Sequence, residues 1–322
     1  MDKVLALLND DLIRVEAQFK KDLTSEVALI RKVGEYVLAS GGKRIRPMLL
    51  LLCSRLGGYR GDYHIGLASV VEFIHTATLL HDDVVDSAVL RRGNASANAV
   101  WGNEASVLVG DFLFAKSFSI MVRGGNLQIL KVLSDATTMM AEGEVLQLIN
   151  TCDLDLDEDS YISVVRNKTA RLIAAACQCG GILGQVTPQQ ETALSEFGME
   201  LGIAFQFMDD ALDYVAEQSE FGKAKGHDLA EGKMTLPLIH ALRHCRAEER
   251  ERVAEIIEKE DLASGDFAYV IDLIERCKGI DYTRSRAQGL VAGAKRRLDV
   301  FPDGPEKEAL FSLADYAVDR RK

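Results

Sequence analysis

Two short acidic motifs carry the residues of this sequence that are best suited to chemistry. Each motif is an aspartate pair with a third aspartate three positions later: Asp82, Asp83 and Asp86 in TLLHDDVVD, and Asp209, Asp210 and Asp213 in AFQFMDDALDY. Both end an apolar stretch that is typical of a helix, so the first and last carboxylates of each motif share one face. Carboxylates crowded on an apolar helix need a partner. A hard cation such as Mg²⁺, which takes one or two carboxylates and completes its shell with water and substrate phosphates, provides one.

Basic residues beside glycines form a second group of candidates. SGGKRIRP places Lys43, Arg44 and Arg46 between two glycines and a proline, where mobile backbone and cationic side chains favour anion binding. Taken alone, this segment fits a solvated basic loop equally well. Further cations follow at Arg91, Arg92, Lys168, Lys223 and Lys233. Two acidic clusters together with several cationic ones predict a site for two polyphosphates, one held through metals and one by Lys and Arg.

The elements that position these residues are helices. Only five prolines occur in 322 residues, and apolar residues recur at spacings of three and four over 105–120, 129–149, 161–182 and 193–215. No segment alternates with period two for long enough to predict a strand. Short glycine-containing turns separate the helices, and none is long enough for a linker. We therefore predict one all-α domain over residues 1–322.

Composition excludes several other classes of protein. The formal net charge of −11 argues against nucleic acid as a partner. The acidic start lacks the basic and apolar regions of a signal peptide, and no window approaches the length of a membrane span. Six cysteines in a chain of this size do not form a disulfide framework. A cytoplasmic protein without a membrane span is the expectation.

At these residues the sequence resembles the trans-type isoprenyl diphosphate synthases, and in particular their long-chain octaprenyl and nonaprenyl branch. The resemblance runs from about residue 20 to the C-terminus through GGKRIRP, EFIHTATLLHDDVVDSAVLRRG, AEGEVLQL, KTARL, FQFMDDALDY and FGKAKGHDLAEGKMTLPL. It implies a bundle of long helices around a deep central cavity (isoprenoid synthase-like). It also implies a homodimer that condenses isopentenyl diphosphate onto an allylic diphosphate, with Mg²⁺ as cofactor and Mn²⁺ able to replace it.

The resemblance implies a role for each candidate residue. The six aspartates would hold Mg²⁺ ions that bind the allylic diphosphate, which Arg91, Lys168, Lys223 and Lys233 would contact directly. The diphosphate of isopentenyl diphosphate would bind to Lys43, Arg46, His75 and Arg92. Thr169 and Gln206 would lie beside the reacting carbons. The departing diphosphate would take the proton that is lost.

Product length depends on residues before the first acidic motif. Position 78 lies one turn before Asp82 on the same face, and position 77 lies beside it. Because Ala77 and Thr78 are small, the channel for the growing chain is expected to stay open there, with Ile74 a weaker obstacle a turn further down. Met121 and Leu133 are candidates for its floor, although Leu133 fits an ordinary core residue better. The resemblance points to an octaprenyl product, the length of a ubiquinone side chain.

Several alternatives remain open from the sequence. The product could be nonaprenyl diphosphate, or a shorter one of roughly C15–C20 if the channel is blocked. A class I terpene cyclase also uses an aspartate-rich helix, but it normally keeps one such motif and needs no second diphosphate pocket. A non-catalytic subunit of a heteromeric synthase usually loses one or both motifs, whereas both are intact here.

Overall fold

The computed structural model describes residues 1–215, 226–259 and 262–319, and these residues are mostly helical. The helices are α1 Asp2–Asp22, α2 Ala28–Ala39, α3 Ile45–Leu56, α4 Tyr63–Val85, α5 Ala97–Trp101, α6 Asn103–Gly124, α7 Leu127–Ile149, α8 Glu158–Val165, α9 Arg171–Leu183, α10 Pro188–Val215, α11 His227–Ala230, α12 Leu236–His244, α13 Ala247–Ile257, α14 Ser264–Arg276, α15 Gly279–Arg297 and α16 Pro305–Val318. The predicted all-α class is confirmed.

Local departures from the α-helix occur at three places. A π-helical turn, Arg166–Ala170, joins α8 to α9, and a 3₁₀ turn, Leu298–Val300, precedes α16. Two strands of two residues each, β1 Leu90–Arg91 and β2 Asn94–Ala95, pair antiparallel after α4. The four long helices predicted from sequence are present, except that the predicted helix 161–182 is interrupted by the π turn.

Backbone contacts divide the described residues into two compact units. Unit 1 comprises residues 1–137, 172–198 and 295–313, and unit 2 comprises residues 138–171, 199–294 and the described residues from 314 onward. The expectation of a single domain stays a prediction.

Helix α4 is the centre of unit 1. It packs mainly against α6, and also against α3 and α1. Most of its residues from Ile65 to Ala77 are buried, as expected of a helix that is apolar almost all round. Leu49–Leu52 of α3 are fully buried as well. Each buried leucine contributes on the order of 1.5–3 kcal/mol relative to an exposed one, so this burial stabilises the helices that carry the first acidic motif.

Glycines set the approach of α6 to α4. A side chain at Gly110 would overlap the ring of His81, and one at Gly124 would overlap the ring of Tyr63. These two contacts show that α6 runs antiparallel to α4. By length and composition α6 could also cross a membrane, but 39% of its apolar window is buried in the protein. Among the described residues it is the one helix that meets those criteria.

Unit 2 is built around α8, α12 and the residues of α10 after Gly198. Helix α12 packs against α8 and α14. The ring of Tyr161 on α8 stacks on Phe207 of α10 with centroids 5.8 Å apart. This stacking places the side chain of Tyr161 beside the second acidic motif.

Candidate active site

The first acidic motif lies at the C-terminal end of α4. The helix ends at Val85, and the N–H of Asp86 donates to the carbonyl of Asp82 at 2.8 Å, which keeps these residues one turn apart. Both are half-buried, whereas Asp83 is only 3% exposed. The middle carboxylate therefore faces the protein and accepts two hydrogen bonds from Arg91, one of them from Nε at 2.7 Å.

The hairpin after α4 presents two adjacent arginines in different directions. Arg92 and Gly93 form its two-residue turn with φ of 52° and 79°, the conformation of a type I′ turn, which is uncommon for an arginine. Arg91 turns back to Asp83. Arg92 lies directly over Gly42, where a Cβ would come within 2.9 Å of its guanidinium nitrogen. The sequence alone did not separate these neighbours.

Within unit 1, arginines surround His75. Burial and then the nearby charges of Arg46, Arg92, Arg91 and Arg44 hold the pKa of His75 well below its usual range. His75 is therefore a neutral ring among cations. Arg44, which sequence analysis grouped with Lys43 and Arg46, forms an ion pair with the buried Glu72. Lys43 is exposed and Arg46 is half-buried, so both are accessible to solvent.

The second acidic motif repeats the design of the first on α10. Asp209 and Asp213 are half-buried, and Asp210 is 3% exposed. Burial, followed by the charge of Asp228, raises the pKa of Asp210 well above its usual range, while hydrogen bonds from Tyr161 and Gln206 favour its ionised form. Asp213 accepts a hydrogen bond from the backbone N–H of Asp228 at 3.1 Å. In both motifs the middle aspartate is buried and accepts hydrogen bonds from other side chains of the protein.

A hydrogen-bonded chain leads to Asp210. Thr169 donates to Gln206 Oε1 at 3.0 Å, and Gln206 Nε2 donates to one carboxylate oxygen of Asp210 at 2.7 Å. The hydroxyl of Tyr161 donates to the other oxygen. Thr169 and Gln206, expected beside the reacting carbons, are thus brought together within unit 2. Tyr161 has no motif signal and was missed by sequence analysis.

Two lysines of unit 2 lie against glutamates. Lys168 Nζ is 2.6 Å from Glu144 Oε2, and Lys233 Nζ is 2.6 Å from Glu231 Oε2. Burial opposes the ionisation of Glu231, but His227 and Lys233 outweigh it and lower its pKa to about 2. The two lysines were predicted from the sequence, whereas these glutamates carry no motif signal. Lys223 lies outside the described residues.

The half-buried aspartate pairs fit Mg²⁺. Each pair offers two carboxylates on one helix face, and carboxylate oxygens are the ligands that this hard cation prefers. Among residues 1–215, 226–259 and 262–319, no group of three His, Cys, Asp or Glu side chains could hold a metal by itself. One or two carboxylates per ion are what Mg²⁺ usually takes, with water and substrate phosphates completing its shell.

The residues predicted to control product length are all in unit 1. Ala77 and Ile74 on α4 are fully buried, and Thr78 is half-buried with its hydroxyl donating to the carbonyl of His75 at 2.8 Å. Met121 on α6 is 1% exposed. Its carbonyl accepts a hydrogen bond from Tyr63 at 3.3 Å, which places Met121 near the N-terminal end of α4. Leu133 is fully buried too.

Comparison with known proteins identifies the family. Residues 27–274 match the model of the polyprenyl synthetase family. The octaprenyl diphosphate synthase of Escherichia coli (strain K12) is 46% identical over 322 residues, which cover 99% of each chain. The chain belongs to the polyprenyl synthetase family. Its assignment as a prenyltransferase enzyme follows from that membership.

Solved structures of polyprenyl synthetase relatives share the fold. A polyprenyl synthase from Caulobacter crescentus CB15, complexed with calcium and isoprenyl diphosphate, is 41% identical with a TM-score of 0.96, covering 100% of this chain and 98% of that one. A decaprenyl diphosphate synthase from Rhodobacter capsulatus is 44% identical with a TM-score of 0.95, covering 100% and 99%. The relatives therefore fix the class of enzyme, while their products differ in length.

Proposed function

We propose that this protein condenses isopentenyl diphosphate units onto an allylic diphosphate, such as farnesyl diphosphate, to make all-trans octaprenyl diphosphate. The observation that carries the proposal is that each intact aspartate motif is accompanied by cations in its own unit. Arg91 and Arg92 accompany the first motif, and Lys168 and Lys233 the second. A cyclase has no need of further cations for isopentenyl diphosphate, the role we give to Lys43, Arg46 and Arg92, and a non-catalytic subunit needs neither motif.

Of the six aspartates that the resemblance implies as metal ligands, the half-buried Asp82, Asp86, Asp209 and Asp213 would hold the metal ions in this scheme. Asp83 and Asp210 are buried and hydrogen-bonded to other side chains, and they would instead orient the two motifs. Mg²⁺, when bound, supplies Lewis-acid stabilisation of the negative charge on the leaving diphosphate. Arg91, Lys168 and Lys233 bind that diphosphate where charge develops as the allylic carbon–oxygen bond breaks. The double bond of isopentenyl diphosphate forms the new carbon–carbon bond, and the proton lost from it goes to the departing diphosphate.

Lys43, Arg46, His75 and Arg92 bind the diphosphate of isopentenyl diphosphate in the same scheme. In the chain without substrate, the lowered pKa of His75 makes its ring a neutral imidazole. A neutral imidazole donates one N–H without adding charge. Arg46 and Arg92 then supply the positive charge, and the N–H of His75 orients the bound diphosphate.

The two adjacent arginines provide a matched pair for testing this division. We expect Arg92→Gln to raise KM for isopentenyl diphosphate, because Arg92 lies over Gly42 beside Lys43. We expect Arg91→Gln to lower kcat or raise KM for the allylic substrate. Loss of a hydrogen bond to a charged group corresponds to roughly a tenfold to hundredfold change. Steady-state kinetics with each substrate varied in turn measures both, and identical profiles for the two variants would contradict the division.

The activity itself is tested with the purified chain, farnesyl diphosphate, labelled isopentenyl diphosphate and Mg²⁺. Elongated diphosphates with eight isoprene units are the expected products. A hydrocarbon product would instead indicate a terpene cyclase. Activity that appears only when a second protein is added would indicate a non-catalytic subunit.

A homodimer in the cytoplasm, making the side chain of ubiquinone, completes the proposal. In unit 1, Leu108 and Val122 of α6 are 66% and 64% exposed, and Leu127 at the start of α7 is 78% exposed. Large exposed apolar side chains on adjacent helices favour a contact with a second copy. Light scattering at assay concentration tests this, and a fully active monomer would contradict it.

A further inference from the structure

The backbone around Lys168 is built for close contact with α7. Lys168 lies in the π turn Arg166–Ala170, and such turns are frequent at functional sites. The turn packs against Gly143, where a Cβ would lie 2.7 Å from the backbone nitrogen of Lys168 and 2.8 Å from Cβ of Asn167. Only glycine allows α7 and the π turn to approach this closely.

The close approach brings two side chains of α7 to the ammonium group of Lys168. Glu144 Oε2 lies 2.6 Å from Lys168 Nζ, and Gln147 Oε1 accepts a hydrogen bond from it at 2.7 Å. An ammonium group has three N–H donors, so these two contacts leave one for another anion. Lys168 and Glu144 are 22% and 21% exposed, so solvent screens their interaction less than that of a surface pair.

The second lysine of this group has the same arrangement. Lys233 lies 2.6 Å from Glu231, and both side chains are less than one-fifth exposed. Each of these two lysines, which are the described ones among those that we assign to the allylic diphosphate, therefore has a glutamate partner in its own unit. A carboxylate next to a lysine reduces the attraction that the lysine exerts on a further anion.

We propose that Glu144 is a positioning residue that sets the strength with which Lys168 binds diphosphate. The inference rests on the proposed function. Glu144 and Gln147 hold the ammonium group in place in the free chain, and Glu144 competes with the bound diphosphate for it. The competition limits the affinity for inorganic diphosphate, which must leave after every condensation if the product is to grow by repeated cycles. A lysine without this partner would bind the substrate more tightly and release the leaving group more slowly.

Glu144→Gln tests the proposal, because it removes the charge and keeps the size of the side chain. We expect the inhibition constant of inorganic diphosphate and the KM of the allylic substrate to fall about tenfold, which corresponds to a shift of about 1.4 kcal/mol. The KM for isopentenyl diphosphate should stay the same, and kcat should fall because release is slower. Calorimetric titration with inorganic diphosphate and Mg²⁺, without prenyl substrates, should show the same tenfold tightening.

Glu142→Gln is the matched control. It removes the same charge from the same helix, but Glu142 is exposed, so binding of inorganic diphosphate should change less than twofold. Gln147→Glu provides the opposite change, since a second carboxylate beside Lys168 should weaken binding of inorganic diphosphate several-fold. This variant also tests the proposal if Glu144→Gln does not fold.

Unchanged or weaker binding of diphosphate by Glu144→Gln would overturn the proposal, as would unchanged binding by Gln147→Glu. Failure of the proposed function would look different. In that case the wild-type chain itself would neither elongate farnesyl diphosphate nor bind inorganic diphosphate.

Discussion

Asp82→Ala and Asp209→Ala are each expected to lower kcat by about a hundredfold to a thousandfold, the effect of removing one group that stabilises developing charge. Both side chains are half-buried and share a helix face with a second carboxylate, at Asp86 and Asp213. Their removal takes away a metal ligand and little packing. The helical content and melting temperature should therefore stay close to those of the wild type. Steady-state kinetics with a Mg²⁺ titration and circular dichroism measure the two effects.

Alanine variants of the middle aspartates should behave differently, which separates the loss of a metal ligand from the loss of a structural contact. Both are buried. Asp83 accepts hydrogen bonds from Arg91. Asp210 accepts them from Tyr161 and Gln206. Replacing either by alanine leaves donors unpaired that are buried (Tyr161) or half-buried (Arg91 and Gln206), at up to roughly 1–3 kcal/mol per group, and should lower stability as well as activity.

Asp135→Ala on α7 serves as the control for Asp82→Ala and Asp209→Ala. Its carboxylate is 53% exposed and pairs with Lys131, so turnover should be unaffected.

Activity should disappear with EDTA and return with Mg²⁺ or Mn²⁺. Near-normal turnover of both Asp82→Ala and Asp209→Ala would refute the assignment of the two metal clusters.

The sequence predicted the helices well because their signal is local. Apolar residues at spacings of three and four predict α6, α7 and α10 to within five residues at each end. The π turn at Arg166–Ala170 was not predicted, because α9 after it is apolar and buried nearly all round and therefore hides the shift in helical phase. The hairpin was missed as well, because strands of two residues are too short to show alternation.

The candidate site was predicted as residue types, and only in part as roles. The i, i+4 rule paired Asp82 with Asp86, but a residue one step along a helix turns about 100° away. That rotation directs Asp83 and Asp210 into the protein. The partners Glu72, Glu144 and Tyr161 are far from their cations and carboxylates along the chain, so no local pattern could reveal them.

Ala77→Tyr is expected to shorten the product from octaprenyl to roughly C15–C20, because a large ring at this level blocks a channel that runs along α4. Ala77 lies five residues before Asp82, or roughly 7 Å along the helix axis. The carbonyl of Met121 accepts a hydrogen bond from Tyr63, which lies roughly 21 Å beyond Ala77 along the axis of α4. Met121→Ala should therefore lengthen the product. Chromatography of the dephosphorylated products measures both changes.

Ala68→Tyr distinguishes a blocked channel from an overpacked core. Ala68 and Ala77 are both fully buried, but nine residues at about 100° each place them on opposite faces of α4. A tyrosine at position 68 should lower the melting temperature without shortening the product, since overpacking a filled core costs about 1–3 kcal/mol. A tyrosine at position 77 should shorten the product with little loss of stability, because the channel that we expect along this face would have room for the ring. If Ala77→Tyr instead destabilised the protein and still made the wild-type length, the chain would not grow along this face of α4.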